Sequence, residues 1–232
     1  KSENKPFGKN RSCRRVLKLL LASLELSKRS KFLTIIEKTR HMQTEKYYHI
    51  YNHANGRDNL FISVENYEYF LRQWTKYINP IANTLAYCLM PNHFHCLVLI
   101  KDQEEIEASF GKFETFQKLE YRLSKQFASL FSSYTQAFNK RHNRKGSLFA
   151  PNFKKKEITS NDYISKVIAY IHTNPIHHRF VQNIKDWRFS SYQSILSDKP
   201  TQVNRQEVLN WFGGKNAFED FHQSYINTLP SE

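Results

Sequence analysis

The chain has 232 residues, of which 40% are hydrophobic and 15% aromatic, and it contains only 6 Gly and 7 Pro. This composition excludes a disordered or collagen-like chain and indicates one globular domain, with room for a small additional segment. The formal net charge of +14 favours nucleic acid or an anionic membrane surface as a partner, although charge alone is equally compatible with a solvated basic surface.

The first 41 residues differ from the rest of the chain. They contain 12 Lys or Arg and 3 Asp or Glu, and so carry +9 of the net charge. The leucine-rich stretch 16–26 is interrupted by Lys18 and Glu25 and precedes no small-residue cleavage site, so it does not fit a signal peptide. We predict that residues 1–41 are either a basic N-terminal arm or a non-native extension ahead of a start at Met42.

The cysteines and the apolar runs indicate the compartment. Cys13, Cys88 and Cys96 form no CxxC pair, which fits a reducing environment and predicts a cytoplasmic protein. The sequence has no apolar run of about 18 residues, so we expect no transmembrane helix and no membrane partner.

From residue 47 onward the chain has regular secondary-structure patterns. Residues 47–51 are of β type and predict a strand, and residues 65–77 have apolar side chains at helical spacing. Two apolar runs, 84–90 and 93–100, are separated by Pro91-Asn92 and predict adjacent antiparallel strands. A charged connection follows at 101–107.

The second half of the chain is dominated by helical patterns. A long helical period over 116–141 precedes a basic run, 140–156, that predicts a loop and a short strand. Ser160-Asn161-Asp162 is a good N-cap for a helix over 163–173, which Asn174-Pro175 is expected to end. Residues 196–232 are predicted to be a peripheral tail with a short helix at 205–211. The order of elements predicts an α+β fold, an antiparallel sheet with helices packed on one face.

His93-Phe94-His95 is the first candidate site. Residues i and i+2 of a strand point to the same face, so both imidazoles converge while Phe94 turns into the core. Two neutral imidazoles form half of a divalent-metal site. An isolated HxH pair is nevertheless more often structural.

Tyr170 and Asn174 are the second candidate pair. They lie four residues apart on a predicted helix and therefore on one face. A tyrosine hydroxyl can act as a nucleophile, and an amide oxygen is an acceptable ligand for Mg²⁺ or Mn²⁺. Taken alone, a core aromatic residue and a helix-terminal Asn before Pro175 are the more common explanation.

Taken together, these motifs resemble one family, the REP-associated tyrosine transposases and their insertion-sequence relatives. Tyr87-Cys88-Leu89-Met90-Pro91-Asn92-His93-Phe94-His95 resembles the family's HUH segment. Tyr170-Ile171-His172-Thr173-Asn174-Pro175-Ile176 resembles its tyrosine helix, and Trp187-Arg188-Phe189-Ser190-Ser191-Tyr192 the segment that follows. Residues 144–149 and Phe153-Lys154 resemble the basic loop between the two motifs. The similarity spans residues 47–195, so residues 42–195 are predicted to be a single-tyrosine HUH transposase domain.

The resemblance implies a metal-dependent enzyme that cleaves and rejoins single-stranded DNA through a 5′-phosphotyrosine intermediate at hairpin-flanked ends. It implies that His93, His95 and Asn174 bind Mg²⁺ or Mn²⁺ and that Tyr170 is the catalytic nucleophile. It also implies a ferredoxin-like (RRM-like) core and hairpin DNA as the partner. Members of the family act as monomers or as homodimers that exchange the tyrosine helix, and the sequence does not choose between these states.

Other residues near the motifs are candidates for supporting roles. Phe149 and Phe153 either stack on unpaired bases or belong to the core. His172, His177 and His178 are candidates for the base that accepts the tyrosine proton, although exposure or phosphate contact is the simpler explanation. Seven basic residues between the motifs are predicted to contact the DNA backbone: Lys140, Arg141, Arg144, Lys145, Lys154, Lys155 and Lys156.

Two alternatives to an active transposase remain. One is a hairpin DNA-binding protein derived from such a transposase that has lost catalysis, and a metal-dependent cleavage assay separates the two. The other is a histidine-triad nucleotide hydrolase, which needs alternating histidines. Leu97 stands where the third histidine would lie, which argues against it.

Overall fold

The computed structural model describes residues 42–229, except for the side chains of residues 161 and 162. The predicted basic segment 1–41 lies outside the described residues. In the described part the elements are β1 Tyr47–His53, α1 Val64–Tyr77, β2 Ala82–Met90, β3 His93–Ile100, α2 Gln103–Phe110, α3 Phe116–Arg141, β4 Lys154–Ile158, α4 Asn161–His177, α5 Tyr192–Leu196, α6 Arg205–Phe212 and α7 Lys215–Ile226, with a 3₁₀ turn at Ile184–Asp186.

The four strands form one antiparallel sheet in the order β2-β3-β1-β4. Helix α1 connects β1 to β2, and α3 lies between β3 and β4 in the chain. This βαββαβ order and strand arrangement are those of a ferredoxin-like fold. The predicted α+β class and the antiparallel sheet are therefore confirmed.

Helices α1 and α3 pack on one face of the sheet over an aromatic core. The buried positions of α3 follow a helical period, from Leu119 and Leu123 to Phe138, and so give the helix one apolar face. On β3, Phe94 is fully buried, and its ring lies 5.3 Å from Phe70 of α1. Phe94 thus turns away from its two histidine neighbours, because side chains alternate along a strand.

Helix α4 packs on the opposite face of the sheet, mainly against β2 and β3. Ile168 and Ile171 of α4 are fully buried there, in one cluster with Leu97 of β3. The two helices of the βαββαβ unit share one face, as predicted, and α4 partly covers the other. This placement sets α4 directly over the strand that carries the two histidines.

Helix α4 is longer than its sequence pattern predicts, because it continues through Pro175 to His177. Proline cannot donate a backbone hydrogen bond and disfavours the helical conformation of the residue before it. Residues 171–175 are all buried, however, and the backbone N–H of His178 still donates to the carbonyl oxygen of Asn174 at 2.9 Å. Burial against the sheet therefore outweighs the lost bond.

The segment predicted to be a peripheral tail contributes to the core. Val208 of α6 and Phe218 of α7 are both fully buried in the cluster that α4 forms with the sheet. The charged connection after β3 likewise contains a helix, α2, whose N-cap Asp102 accepts a hydrogen bond from the backbone of Glu105 at 2.8 Å. In α2 the apolar residues are sparse, so periodicity gives only a weak signal. The burial of α6 and α7 depends instead on contacts with distant segments of the chain. None of the helices within residues 42–229 combines the length and the apolar composition needed to cross a membrane.

Candidate active site

The two histidines of β3 lie side by side on the face that α4 covers. Their ring centroids are 5.2 Å apart, and only 5% of His93 and 7% of His95 are exposed. The sheet thus brings together the two predicted metal ligands, as the alternation of a strand requires.

Strand β1 adds three further side chains to this face. Tyr51 pairs with His95 and His53 pairs with His93 in the antiparallel register, and His49 lies two residues before Tyr51 on the same side. The Nε2 atom of His49 is 2.9 Å from the Nδ1 atom of His95. His49 is not identified as a site residue from the sequence alone, although its alternation with Tyr51 and His53 along a predicted strand indicates that the three side chains share one face.

Hydrogen bonds orient both candidate ligands through the same ring atom. The Nδ1 atom of His93 is 2.8 Å from the Oδ1 atom of Asn92 and therefore donates to it. If the Nδ1 atom of His95 likewise donates to His49, the Nε2 atom of each ring is the one left to bind another group. Metal-binding histidines are commonly held in this way by a partner on the second ring nitrogen.

Burial keeps both imidazoles neutral. Desolvation lowers the pKa of His93 to about 4, and the neighbouring His178 and His53 act in the same direction. Desolvation, reinforced by His49, lowers the pKa of His95 to about 2. Neutral imidazole is the form that binds a metal ion, so the sheet supplies both residues ready for that role near pH 7.

Helix α4 places Asn174 over His93. Only 1% of Asn174 is exposed, and its Nδ2 atom donates to the carbonyl oxygen of Tyr170 at 2.8 Å. The Oδ1 atom of Asn174 is buried and has no hydrogen-bond partner among the described residues. The amide nevertheless lies close to His93 and acts to raise the pKa of that histidine. An unsatisfied buried carbonyl oxygen beside a histidine is costly and is suited to a cation.

Tyr170 lies one helical turn before Asn174 and faces the same histidines. Its ring centroid is 5.4 Å from that of His95 and 6.0 Å from that of His49. With 39% of the residue exposed, it is one of the few large aromatic residues open to solvent. The structure thus brings Tyr170, Asn174 and both histidines of one chain together.

The donor set fits a divalent cation only if the amide oxygen takes part. Within residues 42–229, no three side chains of His, Cys, Asp or Glu are arranged to hold a metal ion. Two imidazole nitrogens and the unpaired Oδ1 atom of Asn174 are a mixed set that Mg²⁺ or Mn²⁺ accepts, with water or substrate completing the coordination. Asn174 is therefore the decisive member of the candidate metal site.

The three histidines predicted as candidate acceptors of the tyrosine proton lie in different environments. His172 is fully buried, and its ring nitrogens are engaged with Ser191 and His222 at 2.7 and 2.9 Å, so it does not face the Tyr170 hydroxyl. His178 is exposed and its ring lies 4.9 Å from that of His93, at the edge of the site. His177 is exposed beside it.

The predicted DNA-contacting residues fall into separate places. Lys156 and Lys154 of the edge strand β4 pair with His49 and Tyr51 and share the face of the site, whereas Lys155 pairs with Ile50 and turns to the other face. Arg144 is held by an ion pair with Asp58, which lies between β1 and α1, and by backbone carbonyls of its own loop. Lys140, Arg141 and Lys145 are exposed at the end of α3 and in the loop after it.

The two phenylalanines of the basic loop both pack against helix α3. Only 6% of Phe149 is exposed, and its ring lies 4.9 Å from that of Phe131. The ring of Phe153 stacks on Phe127 at 5.1 Å. Of the two interpretations, the core role therefore holds for Phe149, whereas Phe153 is half-buried with one ring face packed on Phe127.

A cleft of about 430 Å³ opens beside Tyr170, between β4, α4 and α7. Its walls combine histidines of the site with tyrosines and lysines, and none of its described lining residues is acidic. The lining residues are His49, Tyr51, His95, Lys156, Tyr163, Lys166, Val167, Tyr170 and Tyr225.

No protein-family model matches the chain. The chain is 26% identical over 111 residues to a Haemophilus influenzae protein named "Putative REP-associated tyrosine transposase", and the alignment covers 47% of this chain and 58% of that protein. A solved structure of a REP-associated tyrosine transposase bound to a REP hairpin aligns with a TM-score of 0.47 and 19% identity, over 69% of this chain and 85% of that chain. The chain is thus similar, over about half of its length, to a protein named for the family that its motifs resemble.

Proposed function

We propose that this protein is a single-tyrosine transposase that cleaves and rejoins single-stranded DNA beside a hairpin. The observation that carries the proposal is the position of Tyr170, whose exposed ring lies 5.4 Å from His95 on the face where Asn174 presents an unpaired buried oxygen. A core tyrosine would be buried, and a purely structural Asn would leave no buried side-chain oxygen without a partner.

The reaction is a transesterification at a phosphodiester. The Tyr170 oxygen attacks the phosphorus atom, a new oxygen–phosphorus bond forms, and the bond to the 3′ oxygen breaks. The hydroxyl of Tyr170 loses its proton, and the departing 3′ oxygen takes up a proton. The strand on one side ends in a free 3′-hydroxyl, and the 5′-phosphate of the other remains on Tyr170. Attack by another 3′-hydroxyl reverses the step, so no nucleotide cofactor is consumed.

His93, His95 and Asn174 would hold Mg²⁺ or Mn²⁺ in this proposal. A bound divalent ion supplies Lewis-acid stabilisation of charge on the phosphate oxygens. The chain's own contribution is to fix the donors: His49 and Asn92 hold the two imidazoles, and the Tyr170 carbonyl oxygen holds the amide of Asn174. Because Tyr170 and Asn174 share one helix face, α4 itself positions the nucleophile relative to Asn174, and the packing of α4 on β2 and β3 positions it relative to the two histidines.

Basic side chains near the site support an anionic substrate. Lys154 and Lys156 lie on the edge strand next to the cleft, and Lys166 lies on α4 within it. Lysines of this kind position a phosphate backbone without reading its sequence. We therefore propose single-stranded DNA with a neighbouring hairpin as the substrate.

A covalent-adduct assay tests this function. The full chain would be incubated with labelled hairpin DNA from the flanks of its own gene, in Mg²⁺, Mn²⁺ or EDTA, and adducts resolved on a denaturing gel. We expect a metal-dependent adduct that Tyr170→Phe abolishes. Tyr121→Phe is the matched control, because Tyr121 is 68% exposed on α3, a helix that packs on the other face of the sheet.

Two results would contradict the proposal in different ways. Intact DNA binding with no adduct under any metal condition would favour a catalytically silent DNA-binding protein. An adduct that persists in Tyr170→Phe would show that another residue is the nucleophile.

A further inference from the structure

We propose that the cleft beside Tyr170 is a subsite for an unpaired nucleotide, with its base against Tyr163 and Tyr225 and its phosphates at Lys156 and Lys166. This inference rests on the proposed function, because it places the nucleotide next to the phosphate that Tyr170 attacks. Tyr225 of this subsite lies outside residues 47–195, the region that resembles the transposase family.

One face of α4 presents the residues of this subsite in a row. Tyr163, Lys166, Tyr170 and Asn174 are separated by three, four and four residues, so they follow one side of the helix. Tyr163 is 41% exposed, and Lys166 is exposed next to it. A strand lying along this face would meet an aromatic ring, a cation and the candidate nucleophile in that order.

Strand β4 supplies a cation to the opposite wall. Lys156 pairs with His49 across the sheet and therefore points to the face of the site. Its Nζ atom lies 3.3 Å from the Tyr163 hydroxyl and 5.1 Å from the centre of that ring. A phosphate held by Lys156 would thus leave the attached base within reach of the Tyr163 ring.

Tyr225 completes the cleft from helix α7. Tyr225, Tyr163 and Tyr170 all line this cleft, so the three tyrosines lie close together. The buried hydrogen bond between His222 of α7 and His172 of α4, at 2.9 Å, fixes the two helices to each other. The C-terminal helix is therefore part of the site wall.

The chemistry of the cleft selects an unpaired nucleotide over other occupants. Aromatic rings combined with lysines are the usual components of single-strand binding sites, where bases stack and the backbone is held by charge. A volume of about 430 Å³ is of the size that holds a small ligand rather than a duplex. None of the described lining residues is acidic, so nothing there opposes a phosphate.

Photocrosslinking of the full chain tests the subsite independently of cleavage. The probe is an unstructured 12-nucleotide strand with one 5-iododeoxyuridine, irradiated in EDTA so that no cleavage occurs, and the crosslinked peptides are identified by mass spectrometry. Binding of the same strand is measured by fluorescence anisotropy for Tyr163→Ala, Tyr225→Ala and the control Tyr121→Ala. The unaltered chain gives the crosslink readout even if Tyr225→Ala does not fold.

We expect crosslinks at Tyr163 or Tyr225 and a roughly 10-fold weaker affinity for Tyr163→Ala, with Tyr121→Ala unchanged. A separate groove lies between α1 and α3 and is lined by Tyr69 and Tyr77. Crosslinks confined to that groove would overturn the subsite, as would an unaltered affinity in Tyr163→Ala. Crosslinks at Tyr163 in a chain that forms no covalent adduct would support the subsite and refute only the cleavage chemistry.

Discussion

His49 Nε2 lies 2.9 Å from His95 Nδ1, across the β1–β3 pair. This contact joins a residue with no predicted role to a predicted metal ligand. His95 is 7% exposed, so its ring is oriented by its packing neighbours and by this hydrogen bond rather than by water. His49 is therefore expected to act on the candidate metal site through His95, as a positioning residue.

Replacing His49 should weaken metal binding. We expect His49→Phe, which keeps a ring but removes the hydrogen bond, to raise the Kd for Mn²⁺ by roughly 10- to 100-fold, the usual effect of removing such a partner. Isothermal titration of Mn²⁺ into the metal-free chain measures it. His177→Gln is the control, because His177 is exposed; an equal loss there would point to non-specific binding by surface histidines.

Two substitutions of Asn174 are expected to have opposite effects on the response of the protein to Mn²⁺. Asn174→Ala removes the unpaired oxygen and should abolish most Mn²⁺ binding. Asn174→Asp keeps an oxygen ligand but buries a carboxylate at a position that is 1% exposed, so it should be destabilised without metal. Mn²⁺ should then raise the Tm of Asn174→Asp by more than that of the unaltered chain, because the ion binds only the folded state. Similar Mn²⁺ shifts in Asn174→Ala and the unaltered chain would remove Asn174 from the site.

The strands and main helices of the domain could be predicted because their patterns are strong. Strand β3 and helix α3 have the bounds that their apolar periods indicate. The alternation around Phe94 also predicted which way His93 and His95 point. These features depend on residues close in sequence, and a single periodicity determines each of them.

What the sequence did not reveal depends on contacts between distant segments. The partnership of His49 with His95 requires the β1–β3 register, and the place of Tyr225 requires α7 to return to α4. The ion pair of Arg144, which is predicted to contact DNA, is also not apparent from the sequence, because its partner Asp58 lies 86 residues earlier. Pro175 suggested a helix end because the burial that carries α4 past it is a tertiary effect.

The alternating lysines of β4 predict different salt dependences for adjacent residues. Lys156 faces the site, whereas Lys155 turns to the opposite face of the sheet, which Glu120 of α3 approaches. Burial there lowers the pKa of Lys155. Lys156→Gln should reduce the slope of log K against log salt for single-stranded DNA by about 0.7, the value for one lost phosphate contact. Lys155→Gln should change this slope less than Lys156→Gln does. Anisotropy titrations between about 50 and 200 mM salt measure both slopes, and a larger effect at Lys155 would place the strand on the other face of the sheet.

The buried pair His172 and His222 predicts a loss of stability in acid. Burial lowers the pKa of His172 well below its usual value and that of His222 to about 4. Because the folded-state pKa lies below the unfolded value near 6.5, the stabilisation is present above pH 6.5 and is lost as the pH falls towards the folded pKa. For His222 alone this amounts to roughly 2 kcal/mol between pH 7 and pH 5.

Urea unfolding at pH 7 and pH 5 checks this linkage. His222→Gln cannot take up a proton, so its free energy of unfolding should fall by roughly 2 kcal/mol less over that interval than that of the unaltered chain. His177→Gln, at an exposed position, should keep the full pH dependence. If His222→Gln and the unaltered chain lose the same free energy of unfolding between pH 7 and pH 5, a group other than His222 takes up the proton on unfolding. The burial of His222 between α4 and α7 would then not be the cause of the pH dependence.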